Sequence, residues 1–161
     1  MNNKILYEIK NGKGLIKEIK EFNYNYSFIK YEYEYIYGEK NGKAKQYDNN
    51  GKLEFEGEYI YGNKIKRGKE YYNEKLILEG EYLYDHKIKG KGYYLNGKLE
   101  YEGEYLYDKK WNGKGFDEKG NILNELKNGN GKVKEYDYKG ILKFEGEYLN
   151  GKRMEGKRLF F

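Results

Sequence analysis

Few side chains in this chain of 161 residues are suited to catalytic chemistry. It contains one histidine, His86, one serine, Ser27, and no cysteine. Multi-histidine metal sites and Cys–His nucleophiles are therefore impossible, and a Ser–His–Asp triad would require two residues far apart along an extended chain to meet. His86 follows Asp85 in a predicted loop, where a solvated side chain is expected. The sequence predicts a protein that is not an enzyme and has no metal and no cofactor.

Carboxylates and glycine pairs recur too regularly to mark a tuned catalytic site. Glutamates occupy every second position from residue 54 to residue 58, and lysines follow the same spacing from residue 87 to residue 91. Facing strands with these patterns form Glu–Lys ladders of about 0.2–1 kcal/mol per pair, which account for most of the charges without a ligand. Gly90-x-Gly92 is not a phosphate loop, since no helix follows it.

The chain is an array of short repeats. The segment Phe55-Glu56-Gly57-Glu58-Tyr59-Ile60 returns with small changes at residues 78–83, 101–106 and 144–149, so that its central glycines lie 23, 23 and 43 residues apart. Turn residues mark further copies, and shortened copies follow residue 120 and open the chain. We interpret residues 1–161 as one array of seven units, which start near residues 3, 27, 51, 74, 97, 120 and 140.

Within a unit, aromatic and charged residues alternate, which predicts strands with one packed and one wet face. Asn50-Gly51 and Asn96-Gly97 fit a two-residue hairpin turn in which both residues have positive φ. Asn-Gly also occurs at the other end of the units, at residues 11–12, 41–42, 128–129 and 150–151. The sequence therefore predicts an all-β protein: an open, single-layer antiparallel β-meander of about seven hairpins, elongated and twisted.

No sequence segment is available to cover such a sheet with a second layer. Glycines inside the predicted strands, such as Gly57, Gly103 and Gly113, indicate that large aromatic side chains lie over them within the sheet. Tyrosine supplies most of the buried surface in this interpretation, with its hydroxyl group at a wet edge.

Composition restricts the class of protein further. No apolar run approaches the ~20 residues of a membrane-spanning helix, and the N-terminus has no apolar core of a signal peptide. We expect a cytoplasmic protein, peripheral at a membrane only if its basic residues bind lipid. The net charge of +5 is modest, and acidic residues interleave with the basic ones, so no nucleic-acid partner is expected.

The repeating unit resembles the MORN (membrane occupation and recognition nexus) repeat. The resemblance lies in Tyr101-Glu102-Gly103-Glu104-Tyr105 followed by Asn112-Gly113-Lys114-Gly115, and in residues 144–153. It covers nearly the whole chain, and the bacterial antitoxin-like variant of the repeat has the same period. Three departures predict irregular stacking: Tyr33 at a glycine position, Arg67-Gly68-Lys69 in place of the glycine pair, and the short unit after Gly120.

The resemblance implies a non-catalytic scaffold for a protein or peptide partner. An open sheet with an aromatic face can receive a peptide in a groove. Trp111 has two interpretations. It could anchor a partner in such a groove, or it could be a packing residue only, because it occupies the place of Ile65 and Ile88 in earlier units. We predict a partner-binding groove formed by Tyr35, Tyr59, Tyr82, Tyr105, Trp111 and Tyr148.

The sequence is also compatible with two further interactions, lipid binding and self-association. Binding to acidic phospholipids, phosphoinositides included, has been proposed for the family, and it needs several basic residues on one face. The candidates for this anion site are Lys87, Lys89, Lys91, Lys110, Lys114, Arg153 and Arg158. Exposed sheet edges also invite pairing, and the apolar residues Leu159, Phe160 and Phe161 predict a homodimer through the C-terminal edge.

Overall fold

The structure is a computed structural model, and it describes residues 2–23, 26–136, 141–154 and 157–158. Every regular element in these residues is a β-strand, which confirms the predicted all-β class. The strands are β1 (Asn2–Lys10), β2 (Lys13–Asn23), β3 (Tyr26–Ile36), β4 (Glu39–Tyr47), β5 (Leu53–Ile60), β6 (Asn63–Tyr72), β7 (Lys75–Leu83), β8 (His86–Tyr93), β9 (Leu99–Leu106), β10 (Lys109–Phe116), β11 (Ile122–Leu126), β12 (Gly131–Tyr136), β13 (Leu142–Leu149), β14 (Lys152–Arg153) and β15 (Lys157–Arg158).

The strands follow one another in chain order, except that β15 pairs with β13 beside β14. Strands β1 to β11 form one antiparallel sheet, and β12 to β15 form a second, smaller sheet, so the predicted meander is confirmed. The chain divides into two compact units. Unit 1 contains residues 1–76 and 82–85, and unit 2 contains residues 77–81 and 86–161.

The sheet is interrupted after β11, where the repeat is shortened. The turn at Asn128-Gly129 is flanked by the single bridge between Lys127 and Asn130 instead of a full ladder. The side-chain amide of Asn124 on β11 donates a hydrogen bond to the carbonyl oxygen of Lys134 on β12 at 3.4 Å. The short unit is therefore irregular in its backbone pairing, whereas the sequence had predicted irregular aromatic stacking there.

In the core of unit 1, one aromatic ring lies over two glycines. A Cβ atom added to Gly57 or to Gly68 would lie 2.7 Å from the ring of Phe55. Tyr59 and Tyr82 then pack edge-on against the same ring, at centroid distances of 6.0 and 5.6 Å. The predicted packing of aromatic side chains on glycines within the sheet is confirmed.

Unit 2 repeats this arrangement. Tyr101 is 1% exposed and lies over Gly103 and Gly113, whose missing Cβ atoms leave room for its hydroxyl group. Beyond it, Leu126, Val133 and Phe144 form a buried cluster with Tyr101, and Tyr105 and Tyr148 pack against that cluster. In each unit we call the side that carries these rings the aromatic face, and the opposite side the charged face.

The charged face carries the predicted Glu–Lys ladders. Lys91 lies opposite Glu102 with a Nζ–Oε1 distance of 3.4 Å, and Lys134 lies 3.0 Å from Glu145. Tyrosines add hydrogen bonds to carboxylates on neighbouring strands: the Tyr71 hydroxyl group donates to Glu56 at 2.6 Å. These exposed pairs specify register more than they add stability.

The connections at Asn50-Gly51 and Asn96-Gly97 differ from the prediction. The N–H of Asp48 donates to the carbonyl oxygen of Lys52, so the loop that this pair closes has three residues, 49–51, and not two, and of these three only Gly51 has positive φ. Residues 95–97 connect β8 to β9 in the same way. The sequence Asn-Gly suits both turns, and the one-residue offset of the strands selects the three-residue form with its bulge.

Asn41-Gly42 also differs from the prediction, because it lies inside β4 and not in a turn. Tyr35 pairs with Lys40 and Tyr33 with Ala44, so residues 41–43 bulge opposite the single residue Glu34. The bulge lies next to Tyr33, which occupies the position where a glycine was expected. A second bulge contains Lys66 and Arg67, at the other predicted irregularity.

The close approach of paired glycines leads to a stability prediction. In Gly103→Ala the new Cβ would lie 2.1 Å from the carbonyl oxygen of Asn112 and 2.7 Å from the Cα atom of Gly113. Because backbone cannot yield as a side chain does, we expect a loss of about 3 kcal/mol in the free energy of unfolding, measured by chemical denaturation. Gly92→Ala is the matched control, since its Cβ would meet nothing closer than 3.9 Å. Equal effects of the two variants would contradict the model of glycine packing.

Buried tyrosines make stability sensitive to alkaline pH. Burial raises the pKa of Tyr59 to about 12 and, likewise, that of Tyr101 to about 12. A pKa raised in the folded state means that the folded protein holds its proton more tightly than the unfolded chain, whose tyrosines titrate near pH ~10. The stabilisation is complete below that pH and is lost as pH rises towards 12.

We therefore expect the free energy of unfolding to fall between about pH 10 and pH 12, by about 1.4 kcal/mol per pH unit for each such tyrosine. Urea titrations across this range measure how steeply the free energy of unfolding falls with pH. Tyr59→Phe should reduce this slope by the contribution of one tyrosine, about 1.4 kcal/mol per pH unit. A free energy of unfolding that stays constant up to pH ~12 would disprove this assignment.

Candidate binding surface

Among the described residues, eight two-residue turns share one conformation. Both residues of each turn have positive φ, between +46° and +100°, which is the conformation of type I′ hairpins. This turn favours Asn followed by Gly, because these residues tolerate the left-handed region. The eight turns are Asn11-Gly12, Tyr37-Gly38, Tyr61-Gly62, Asn73-Glu74, Tyr84-Asp85, Tyr107-Asp108, Asn128-Gly129 and Asn150-Gly151.

Four of the eight carry tyrosine in the position that favours asparagine, and we call them the tyrosine turns. The side chains of Tyr37, Tyr61, Tyr84 and Tyr107 are 74%, 73%, 66% and 74% exposed. A bulky residue in the left-handed region costs about 1 kcal/mol, and an exposed ring recovers little of it by burial. The turns therefore present large aromatic surfaces to solvent at a cost in stability.

Hydrogen bonds hold the tyrosine turns of unit 1 in place. The Tyr37 N–H donates to the carbonyl oxygen of Gly12 at 2.8 Å, and the Gly62 N–H donates to that of Lys40 at 3.0 Å. The Asp85 N–H donates to the carbonyl oxygen of Lys64 at 3.1 Å, and the Asp85 carboxylate accepts from the Lys64 N–H at 2.8 Å. Each turn is therefore tied to the neighbouring repeat, so its exposed ring stands on a fixed backbone.

The tyrosine turn of unit 2 is held in a similar way. The Asp108 carboxylate accepts a hydrogen bond from the Lys87 N–H at 2.8 Å and lies 2.7 Å from Nδ1 of His86. Partial burial by itself would raise the pKa of Asp108, but these two hydrogen bonds outweigh it and lower the pKa below its usual value. His86 was expected to be solvated only. It is half exposed, but it pairs with Asp108 and packs edge-on against the ring of Tyr107.

Apolar residues on the charged face extend the tyrosine turns. Leu83 precedes Tyr84 and is 46% exposed, and Leu106 precedes Tyr107 and is 41% exposed. At these strand ends the glutamates of the charged face give way to leucine. Each of these turns thus joins an exposed aromatic ring to an exposed aliphatic side chain, a combination that is enriched in protein interfaces over charged surface.

Three of the predicted groove residues lie in unit 1. Tyr59 is 8% exposed and Tyr82 is 3% exposed, because both pack on Phe55. The Tyr82 hydroxyl group donates to Glu70 at 2.8 Å. Tyr35 is half-buried on β3. The buried pair belongs to the core, so little of its surface faces solvent for a partner.

The other three lie in unit 2 and are half-buried. Tyr105 and Tyr148 pack against the buried cluster, and the Tyr148 hydroxyl group donates a short hydrogen bond to Glu135. Trp111 is the extra residue of a bulge in β10, and its ring covers the turn glycines Gly129 and Gly151. The contacts of Trp111 fit its interpretation as a packing residue.

Most of the predicted basic residues lie beside carboxylates. Lys89 stands opposite Glu104, Lys91 pairs with Glu102, and Lys114 stands between Glu102 and Glu125. Lys110 pairs with Glu100 at 2.9 Å and lies over the Tyr101 ring, on the aromatic face.

Arg153 pairs with Glu135 and lies over Phe144, also on the aromatic face. The backbone of Lys87 is bound to Asp108, and the backbone of Arg158 lies in β15. The structure therefore does not bring the candidate basic residues together on one face. The predicted C-terminal edge of Leu159, Phe160 and Phe161 lies outside the described residues.

The described residues were compared with the requirements of metal and small-molecule sites. They contain no group of three His, Cys, Asp or Glu side chains arranged to hold a metal ion. Ser27 is an exposed residue of β3. A depression in unit 2 between Tyr94, Leu126 and Tyr148 has an accessible volume of about 20 Å³, room for about one water molecule. The described part of the chain also has no helix long and apolar enough to cross a membrane.

Comparison with known proteins adds no assignment to this surface. The chain matches no model of a known protein family, and a search of curated proteins finds no match either. The resemblance to the MORN repeat therefore stays a prediction that rests on the repeat period and the glycine spacing.

Sequence reasoning missed the tyrosine turns, although a signal was present. The chain repeats Tyr-Ile-Tyr-Gly at residues 35–38 and 59–62, and Tyr-Leu-Tyr-Asp at residues 82–85 and 105–108. The alternation places the first tyrosine of each on the aromatic face, and taken alone it continues the strand through the second tyrosine. Its true place, in the turn, follows only from the register of the hairpin.

The turn conformation predicts an unusual effect of mutation. Tyr61→Asn should raise the free energy of unfolding by about 0.5–1 kcal/mol, because asparagine tolerates the left-handed region and the exposed ring contributes little. Asn150→Tyr, at the same position of another turn, should lower it by a similar amount. Thermal or urea unfolding measures both. A clear loss of stability in Tyr61→Asn would show that this tyrosine serves the fold instead.

Proposed function

We propose that this chain is a non-catalytic, MORN-type repeat scaffold that binds a protein or peptide partner. One observation carries the proposal: exposed tyrosines occupy left-handed turn positions of a kind that favours asparagine. An exposed residue in a strained conformation is a reason to look for function at that place. The tyrosine turns are thus the contact surface we propose, in place of the more deeply buried groove tyrosines.

The chemistry of the surface favours a protein partner. Tyrosine offers a large amphipathic contact area and loses little conformational entropy on binding, which explains its enrichment at protein interfaces. In unit 1, successive tyrosine turns lie two strands apart, or about 10 Å, so that three of them span about 20 Å. An extended peptide of about six residues has this length.

The membrane alternative has less support. Attraction to an anionic bilayer amounts to about 1 kcal/mol per basic residue near the surface, and it requires several on one face. Lys91, Lys110 and Arg153 instead pair with glutamates, and they divide between the two faces. Because glutamates neutralise these basic side chains at short range, the positive potential at the surface is weak and does not favour adsorption to anionic lipid.

The test is selection of binding peptides from a displayed random library on the full chain. We expect peptides rich in apolar residues that bind in the micromolar range. A variant with Tyr37, Tyr61 and Tyr84 each changed to Asn should bind the selected peptides at least tenfold more weakly while remaining folded. Tyr72→Asn is the matched control, because Tyr72 is 58% exposed but precedes a turn at the opposite strand end.

Three outcomes would contradict the proposal. Selected peptides that bind the triple variant as well as the original chain would place the contact elsewhere. Failure to enrich any peptide would argue against a peptide-binding surface. Co-sedimentation with phosphatidylcholine vesicles that depends on added phosphoinositide, and that persists at physiological salt, would favour the membrane alternative.

A further inference from the structure

Strand β1 has an open side. It is the last strand in the order of its sheet and pairs along its whole length, Asn2–Lys10, with β2. None of the other described strands pairs with its outer side. Every side chain from residue 4 to residue 10 is exposed on this strand, including four large apolar ones: Ile5 (56%), Leu6 (45%), Tyr7 (71%) and Ile9 (40%). A long apolar edge of this kind is a template for another strand.

The pairing with β2 determines which backbone groups of β1 are open. The turn at Asn11-Gly12 closes between Lys10 and Lys13, the hydrogen-bonded ends of a two-residue hairpin. Hydrogen-bonded pairs alternate along an antiparallel ladder, so the even-numbered residues of β1 direct their N–H and C=O groups to β2. The odd-numbered residues, Ile5, Tyr7 and Ile9 among them, direct theirs outward.

We propose that two copies of this chain form a symmetric dimer in which their β1 strands pair antiparallel about Leu6. In this register Leu6 faces Leu6 of the partner subunit as a non-hydrogen-bonded pair, and Ile5 faces Tyr7 of the partner subunit as a hydrogen-bonded pair. The outward-directed N–H and C=O groups of the odd-numbered residues then form hydrogen bonds with those of the partner subunit. All nine residues of the strand are used, because Leu6 is its middle residue.

Charge complementarity selects this register. A lysine on an edge strand ordinarily opposes pairing. With the two-fold axis at Leu6, Lys4 lies opposite Glu8 of the partner subunit, and the reciprocal pair forms at the same time. An axis one residue further along, at Tyr7, would place Lys4 opposite Lys10 of the partner subunit. An axis at Ile5 would leave both Lys4 and Glu8 without an opposite charge.

The proposal is independent of the tyrosine turns. It uses the outer strand of unit 1, and its residues are different from those of the proposed partner surface. Within one subunit Lys4 and Glu8 face the apolar residues Ile19 and Leu15 of β2. Reversing either charge should therefore leave the internal hairpin in register, so that a change in assembly reports on the interface and not on folding.

Charge reversal tests the register in the full chain. We expect the original protein to sediment as a dimer at tens of micromolar, and Lys4→Glu and Glu8→Lys each to weaken the dimer at least tenfold, because each places like charges opposite each other. Mixing the two single variants should restore a dimer, since one subunit then carries acidic side chains at both positions and the other carries basic ones. The double variant, Lys4→Glu with Glu8→Lys, should dimerise by itself.

Cysteine cross-linking tests the axis directly, since the chain has no cysteine of its own. Opposed residues of a non-hydrogen-bonded pair have Cα atoms about 4.5 Å apart, within the range of a disulfide. Leu6→Cys should give a cross-linked dimer under mild oxidation. Ile9→Cys is the control, because the two cysteines would stand about six residues apart along the ladder, or about 20 Å.

Three results would overturn the proposal. A monomer at every concentration excludes the dimer. A dimer that survives both single charge reversals, with no rescue on mixing, lies at another surface such as the C-terminal edge. Cross-linking of Ile9→Cys and not of Leu6→Cys would place the axis elsewhere on β1.

Discussion

The close approach of glycines beneath aromatic rings is the constraint on which the rest of the structure depends. At Gly103 and Gly113 the backbones of neighbouring strands come so near that a single added carbon would collide with them. The space left by the missing side chains holds Tyr101, as it holds Phe55 in unit 1. The buried aromatic surface of each unit thus comes from strands alone, and the described residues contain no helix.

This packing assigns the remaining residues to their roles. With the aromatic side chains and glycines on one face, the alternating charges are left on the other, where glutamates and lysines pair across strands. These pairs neutralise basic side chains that could otherwise attract an anionic surface. Exposed apolar surface then concentrates at the turns and on β1, and these two places carry the two interactions that we propose.

Much of the fold could be predicted from the sequence, and less of the surface. The alternation between Phe55 and Tyr59 identifies strands, and the repeated glycines identify the packing on which they depend. The turn types were harder to predict. Asn50-Gly51 and Asn128-Gly129 have the same sequence, but the first belongs to a three-residue loop and the second to a two-residue turn. A turn type depends on how two strands align, and no single segment contains that information.

The sequence by itself determined the class of fold, the repeat and the face of residues in the regular parts of the strands, because period-two alternation is a local property. Only the tertiary structure decided which tyrosines are buried. Tyr59 and Tyr61 are close together in the same segment, yet one lies in the core and the other stands in a turn, 73% exposed. The hairpin register places the end of the strand between them, and register arises from contacts between strands rather than from the segment itself.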